Sequence, residues 1–379
     1  MEQIYFDNAA TTQLRSEVVT KMTSVLQESY GNASSTHSFG RSSKSIIESA
    51  RKTVAKHLNC LASEIIFTSG GTEADNLALR SAVRDLGVKT IITTRIEHHA
   101  VLYTLDQLVI EYGITVKYLD LDSKGHIDFS QLEELLQSPE KKLVSLMHIN
   151  NEIGNILNIK KVGDLCKANN TLFHSDTVQS IGHYEIDLSN INIDFLAVSA
   201  HKFHGPKGVG FCFIRQKSGI KPLIFGGEQE RGARAGTESV HNIVGLEEAL
   251  KIAYSNLTEE RAYITTLKKY FIKSINEAFP NATFNGSSGD LENSTYTLVN
   301  VCLPIAAEKA PILLFQLDLK GIACSRGSAC QSGSSKGSHV LSQILCDDDF
   351  KKPSLRFSFS KFNTKAEIDY VVAVLKEFM

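Results

Sequence analysis

The feature that most constrains this chain is an alternation of short apolar runs with amphipathic helical stretches across its first 200 residues or so. Strands are predicted at 64–68, 90–94, 115–119, 143–148, 172–174 and 194–199. Between them, helical periodicity runs to about 86 and over 100–112, 129–137 and 162–169. Parallel strands need a crossover, and its helix covers the sheet, so this βα rhythm argues for a mostly parallel sheet with helices on both faces. Ligands of such sheets bind just beyond the carboxyl ends of the strands. Ahead of the rhythm, helices at 17–27 and 42–58 flank a turn-rich loop at 31–37. From about Gly245 the pattern changes to a long helical stretch through Tyr270 and Ile275, a polar loop at 285–290, and strands and helices in another order. We place a second unit there, completed by the N-terminal arm. Asp347, Asp348 and Asp349 read as a solvated turn.

A length of 379 residues suggests about two domains. The formal net charge of -2 gives no reason to expect nucleic acid or an anionic membrane as partner. No apolar run is long enough to span a bilayer, and the first residues lack the basic and apolar regions of a signal peptide, so a cytoplasmic location is expected. The seven cysteines are scattered and never form a C-x-x-C pair, which indicates neither a disulfide framework nor a zinc site. Cys60, Cys166, Cys212 and Cys302 sit in helical or strand patterns and read as core. Cys330 differs, because it lies in a Gly/Ser-rich tract too poor in apolar groups to bury itself, so an accessible thiol is expected.

Several strand ends carry polar groups suited to one cavity. The run 194–199 ends in Ser199-Ala200-His201-Lys202, and a Gly/Pro turn and a second apolar strand follow, so Lys202 is held at a tight corner. A lysine there can lose its proton and act as a nucleophile. Asp176 and Gln179 follow the strand at 172–174, Asn151 the strand at 143–148, and His98 the strand at 90–94. After the strand at 64–68, Gly70-Gly71-Thr72 opens a helix, an arrangement that offers bare backbone N–H groups to a phosphate. It matches neither a P-loop nor a dinucleotide fingerprint. Singly, each residue has a plainer role open to it: Lys202 at the surface, Asp176 as a helix cap, Asn151 in a turn, His98 in a polar core, Arg356 as a charge on a sheet surface. Together they offer what pyridoxal phosphate needs: a lysine to bind covalently, an acid for the pyridine nitrogen and a helix N-terminus for the phosphate.

The motifs make the likeness specific. Asp7-Asn8-Ala9-Ala10-Thr11-Thr12, Phe67-Thr68-Ser69-Gly70-Gly71-Thr72-Glu73-Ala74-Asp75-Asn76, Glu97-His98-His99-Ala100, Asn150-Asn151-Glu152-Ile153-Gly154, Ser199-Ala200-His201-Lys202-Phe203-His204-Gly205-Pro206 and Ser328-Ala329-Cys330 stand in the order found in cysteine desulfurases of the NifS/IscS class. The chain resembles that class nearly end to end. The resemblance implies an α/β fold of the fold-type-I, aspartate-aminotransferase-like kind, with a mostly parallel seven-stranded sheet in a large domain at 15–255. A smaller α+β domain would be formed by 1–14 and 256–379 and would carry the mobile cysteine loop at about 324–336. It further implies a pyridoxal phosphate enzyme that converts L-cysteine to L-alanine and passes the sulfur, as a persulfide on Cys330, to an acceptor protein, either an iron–sulfur scaffold or a sulfur carrier for tRNA thiolation.

By the same resemblance Lys202 corresponds to the covalent anchor, Asp176 to the acid at the ring nitrogen, and His98 to the imidazole stacked on the ring. Gln179 and Asn151 correspond to donors near the ring and substrate, and Gly71, Thr72, Ser199 and His201 to phosphate contacts. Thr237, in an exposed-looking basic loop, would reach the phosphate of a second subunit in a homodimer. Arg356 would hold the substrate carboxylate. No resident metal is implied, with Cys330 a candidate for a transient iron–sulfur ligand. A selenocysteine lyase of the same fold, or a scaffold that has kept the pocket without the activity, stays open at this level.

Overall fold

The computed structural model describes residues 3–215, 219–326 and 337–378. The chain begins with β1 (Ile4–Tyr5), α1 (Ser16–Glu28) and α2 (Ser38–His57). It continues through β2 (Ile65–Thr68), α3 (Gly71–Arg84), β3 (Thr90–Thr93), α4 (His99–Tyr112), β4 (Thr115–Tyr118), α5 (Phe129–Leu136), β5 (Lys142–Ser145), α6 (Ile159–Ala168), β6 (Leu172–Asp176), β7 (Phe195–Ser199) and β8 (Gly210–Ile214). Then follow α7 (Val240–Ser255), α8 (Leu257–Ala278), β9 (Thr283–Phe284), β10 (Leu298–Cys302), α9 (Ala310–Leu319), β11 (Ile322–Ala323), α10 (Asp347–Lys351), β12 (Ser354–Ser358) and α11 (Lys365–Lys376).

The first series builds a seven-stranded sheet in the order β2-β8-β7-β6-β5-β3-β4. It is mostly parallel, as expected; β8 alone runs against its neighbours β7 and β2. Strands β2, β3, β5, β7 and β8 are buried at every position, which is why they read as unbroken apolar runs rather than as alternations. The pleat then sorts their side chains. Ile92, Leu196, Phe211 and Phe213 join the core on one face, and Ile91, Phe195, Cys212 and Ile214 the core on the other. Each large side chain so buried contributes roughly 1.5–3 kcal/mol.

A third core gathers Phe271 of α8, Val299 of β10, Phe357 of β12 and Val371 of α11, with Ile4 and Phe6 of the arm. It packs on an antiparallel sheet ordered β12-β10-β9, beside which β1 pairs in parallel with β11. The arm is thereby anchored at residues 4–6, and residues 7–12 run from there toward the end of β7. The helical stretch expected through 275 is two helices. Asn256 separates them, with φ -105 and ψ 8, as suits a residue whose side chain competes with helical hydrogen bonds. Residues 347–351 form a short exposed helix instead of the expected turn, the three aspartates lying in its first turn, where the helix dipole favours negative charge. No helix among the described residues is long and apolar enough to cross a membrane.

Candidate active site

Strand β7 ends at Ser199, and Ala200–Lys202 turn as one 3-10 segment. Gly205 makes the corner possible, since a Cβ there would meet Ala200 at 2.9 Å. Lys202 Nζ donates to the carbonyls of Ala9 (2.5 Å) and Ala10 (2.8 Å), and Gln179 Nε2 to that of Ala9 (2.9 Å). The N-terminal arm is stitched over the lysine turn by Thr12 N–H to His201 O (2.9 Å) and His204 N–H to Thr12 Oγ1 (2.7 Å). Lys202 is therefore no free surface lysine, because its amine is held under the N-terminal arm by two of the arm's carbonyls.

Asp176 is the last residue of β6, which runs two residues beyond the predicted strand. It caps no helix; its Oδ1 accepts the Val178 N–H at 2.9 Å. Asp75 of α3 and Glu97 are also fully buried nearby. Asp75, Asp176 and His98 each place a ligand-type atom within 4.8 Å of the others. Burial, and then repulsion from the other two carboxylates, pushes Asp75 well above the usual range; burial pushes Glu97 up to about 8. Asp176 is raised less, to about 6, because the Val178 N–H and Lys202 work against burial. At neutral pH, Asp176 thus keeps its charge. Asp75 faces His174 Nε2 at 3.3 Å, and His174 Nδ1 meets Ser145 Oγ at 2.9 Å.

His98 caps α4, its Nδ1 accepting the Ala100 N–H at 3.1 Å. Burial first, then Lys202 and His339, lowers its pKa to about 4. The ring is neutral at pH 7, and with Nδ1 occupied as an acceptor its proton sits on Nε2.

The N-terminus of α3 opens at Gly70, whose φ of +154° suits glycine alone. At Gly71 a Cβ would meet Val178 Cγ2 at 2.6 Å, so glycine is required there for space. Glu73 in the first turn accepts the Ser69 N–H (2.8 Å) and pairs with Arg234 (2.8 Å). In β12, Arg356 is 1% exposed, which removes its reading as a sheet-surface charge. Its Nη1 donates to Asn151 O (2.7 Å) and its Nη2 to Asp7 Oδ1 (2.8 Å).

These groups meet at one cavity of about 450 Å³. Gly71, Thr72, His98, Asn151, Asp176, Gln179, Ser199, His201, Lys202 and Arg356 all line it. Thr237 does not; it is exposed, in a loop that is far from loose. Buried Glu230 fastens that loop to Arg51 (2.6 and 2.9 Å) and to Phe67 N–H (2.8 Å). Cys330 lies outside the described residues. Of the cysteines expected in the core, Cys60 is only half-buried, although burial pushes its thiol up to about 12. Cys324 is pushed up further by burial and then by Asp7, which makes it a poor nucleophile. Sequence reasoning missed Asp7 and Asp75 as individual residues although it quoted the motifs that contain them.

Chemically, the cavity combines a seat for an anion, a charged carboxylate at depth, an amine and a clamp for a second carboxylate. The family model for aminotransferase class-V matches residues 4–371. A curated relative from Clostridium botulinum (strain Kyoto / Type A2), a cysteine desulfurase IscS, is 42% identical over 100% of this chain and 94% of its own length. Among solved structures, a NifS-like protein superposes with a TM-score of 0.90 at 37% identity, covering 99% of each chain. A second, SspA in complex with cysteine, superposes at 0.80 with 31% identity over 95% of this chain and 100% of that one.

Proposed function

We propose that this chain, which belongs to the class-V aminotransferase family and within it to the cysteine desulfurases, binds pyridoxal phosphate through Lys202 and Asp176 and takes sulfur from L-cysteine onto Cys330. The observation that carries the reading is a charged, buried Asp176 and the Lys202 amine facing one cavity whose rim is the bare N-terminus of α3. That donor set fits the group: a carboxylate for a protonated ring nitrogen, an amine for an aldehyde, and backbone N–H groups with hydroxyls for a phosphate.

When bound, the cofactor draws electrons from the α-carbon of an amino acid. Gly71, Thr72, Ser199 and His201, with the partner subunit's Thr237, receive the phosphate. Asn151 and Gln179 hold ring and substrate oxygens, and Arg356 holds the α-carboxylate in a forked pair. Lys202 Nζ removes the Cα proton and holds it for return, while His98 presents its Nε2–H to the face of the site. The Cys330 thiolate attacks the substrate sulfur, an S–S bond forms as the C–S bond breaks, and the carbon skeleton leaves protonated as L-alanine. L-cysteine and the Cys330 thiol thus become L-alanine and a Cys330 persulfide, which passes its outer sulfur to an acceptor protein.

The reading divides the chain into a cofactor-holding unit at 15–255 and a smaller unit, 1–14 with 256–379, that carries the cysteine. It makes the protein a cytoplasmic enzyme and a homodimer; the exposed Phe225 and Ile224 beside the Thr237 loop support the second of these. The test is L-alanine formation by Cys330→Ala. The variant should keep the absorbance of its bound cofactor and make no L-alanine from L-cysteine. Full turnover would end the assignment of Cys330.

A further inference from the structure

We infer that Asp7 is a positioning residue for substrate recognition: it holds Arg356 in the orientation that meets the α-carboxylate of the amino acid. This rests on the role given above to Arg356. A guanidinium on a long side chain has much rotamer entropy to lose, so an arginine that must present a fixed fork needs other groups to hold it. Here Nη1 is tied to Asn151 O at 2.7 Å and Nη2 to Asp7 Oδ1 at 2.8 Å.

Asp7 is itself fixed relative to the strand that bears Arg356. It bridges in parallel with Ser358, two residues along β12. Its neighbours add Ser358 N–H to Phe6 O (2.7 Å) and Asn8 Nδ2 to Ser358 O (2.8 Å). The clamp and the clamped group therefore move as one piece. A guanidinium has five N–H donors, so the two that are held leave further Nη donors over for an incoming carboxylate. The charge argument points the same way. Arg356 is 1% exposed, and Asp7 keeps it from being a buried, unpaired cation before substrate arrives, while Asp7, at 19%, retains contact with water as the second carboxylate comes in.

The alternative is an ion pair that only fastens the arm to β12, and the two separate on ligands that differ by one carboxylate. In holoenzyme, dissociation constants for L-alanine and for ethylamine are read from the absorbance of bound cofactor, and kcat and KM from L-cysteine turnover. Asp7→Ala should weaken L-alanine by about tenfold and raise the KM for L-cysteine in step, with kcat nearly unchanged and ethylamine unaffected. Asp7→Asn, which keeps an acceptor oxygen but not the charge, should recover part of the loss. A common shift for both ligands, or none for either, overturns the inference. Should Asp7→Ala fail to fold, Asp7→Glu, with its longer reach, should show the same split in smaller measure. Arg356→Lys serves as the reference: if it separates the two ligands and Asp7 variants do not, only the inference falls, whereas if it fails to separate them the role of Arg356 falls first.

Discussion

On the proposed function, Asp176 is the residue whose ionisation matters most to cofactor binding. Its pKa is raised to about 6 by burial, so the carboxylate is present above that pH and lost below it. Pyridoxal phosphate should therefore bind more weakly at pH 5 than at pH 7.5, and Asp176→Asn should remove that dependence while weakening binding at both; titration of the unloaded chain by cofactor fluorescence measures it. His98, lowered to about 4, stays neutral across the same range and should leave no trace in the profile above pH 5. For Lys202, replacement by alanine should lower kcat by about 10²–10⁴, the usual worth of a positioned base, as read in L-alanine release. These residues were legible because each follows a strand end, where open sheets bind ligands. Asp7 and Asp75 were not, because their meaning lies in pairs: Asp7 with a residue of β12 and Asp75 with His174 of β6. No local pattern announces a partner that distant.

At the level of elements, the βα rhythm was legible because buried strands and amphipathic helices write different periods. What it could not give was the direction of β8, since an apolar run is the same read against or along its neighbours, nor the break at Asn256. The loop that carries Thr237 was a further surprise. Read as an exposed basic stretch, it is pinned by Glu230, whose carboxylate accepts from Arg51 and from the N–H of Phe67, just ahead of the α3 turn. Removing Glu230 takes from Arg51 its buried partner and leaves only the part-exposed Glu48 at 3.0 Å, so Glu230→Ala should cost about 3 kcal/mol in urea unfolding, the low end for a broken buried pair. It should also loosen cofactor, because β2 leads directly into the phosphate seat. A narrower lesion at the same seat is Gly70→Ala. Its φ of +154° admits a side chain only with strain of about 1–3 kcal/mol, and faster loss of cofactor on dialysis should accompany a modest fall in stability.

Across the molecule, burial lowers His148, His201 and His204 to about 4 from the usual 6.5. The unfolded chain then binds more protons than the folded one between those values. Stability is intact above about 6.5 and falls as pH drops toward 4. Glu97 acts in the opposite sense. Raised to about 8, it contributes most below the ordinary carboxylate range and loses that contribution as pH rises toward 8. Melting of the unloaded chain should therefore show a falling midpoint from pH 6.5 to 5, and His148→Gln should shrink the fall, since burial alone acts on that ring. The architecture also divides the labour. On the proposed mechanism, the groups that activate carbon stand at strand ends of the seven-stranded sheet, and the thiol that takes sulfur, Cys330, lies more than a hundred residues further along the chain.

That division is tested most directly by finding where the sulfur lands. Wild-type holoenzyme given one equivalent of L-cysteine, alkylated and digested with trypsin, yields Cys324 and Cys330 on separate peptides, because Arg326 lies between them. The peptide that bears Cys330 should gain the mass of one sulfur atom in step with L-alanine release, and the peptides of Cys324 and Cys346 should gain none. Sulfur on either of those instead, or L-alanine released with no sulfur on Cys330, would contradict the account.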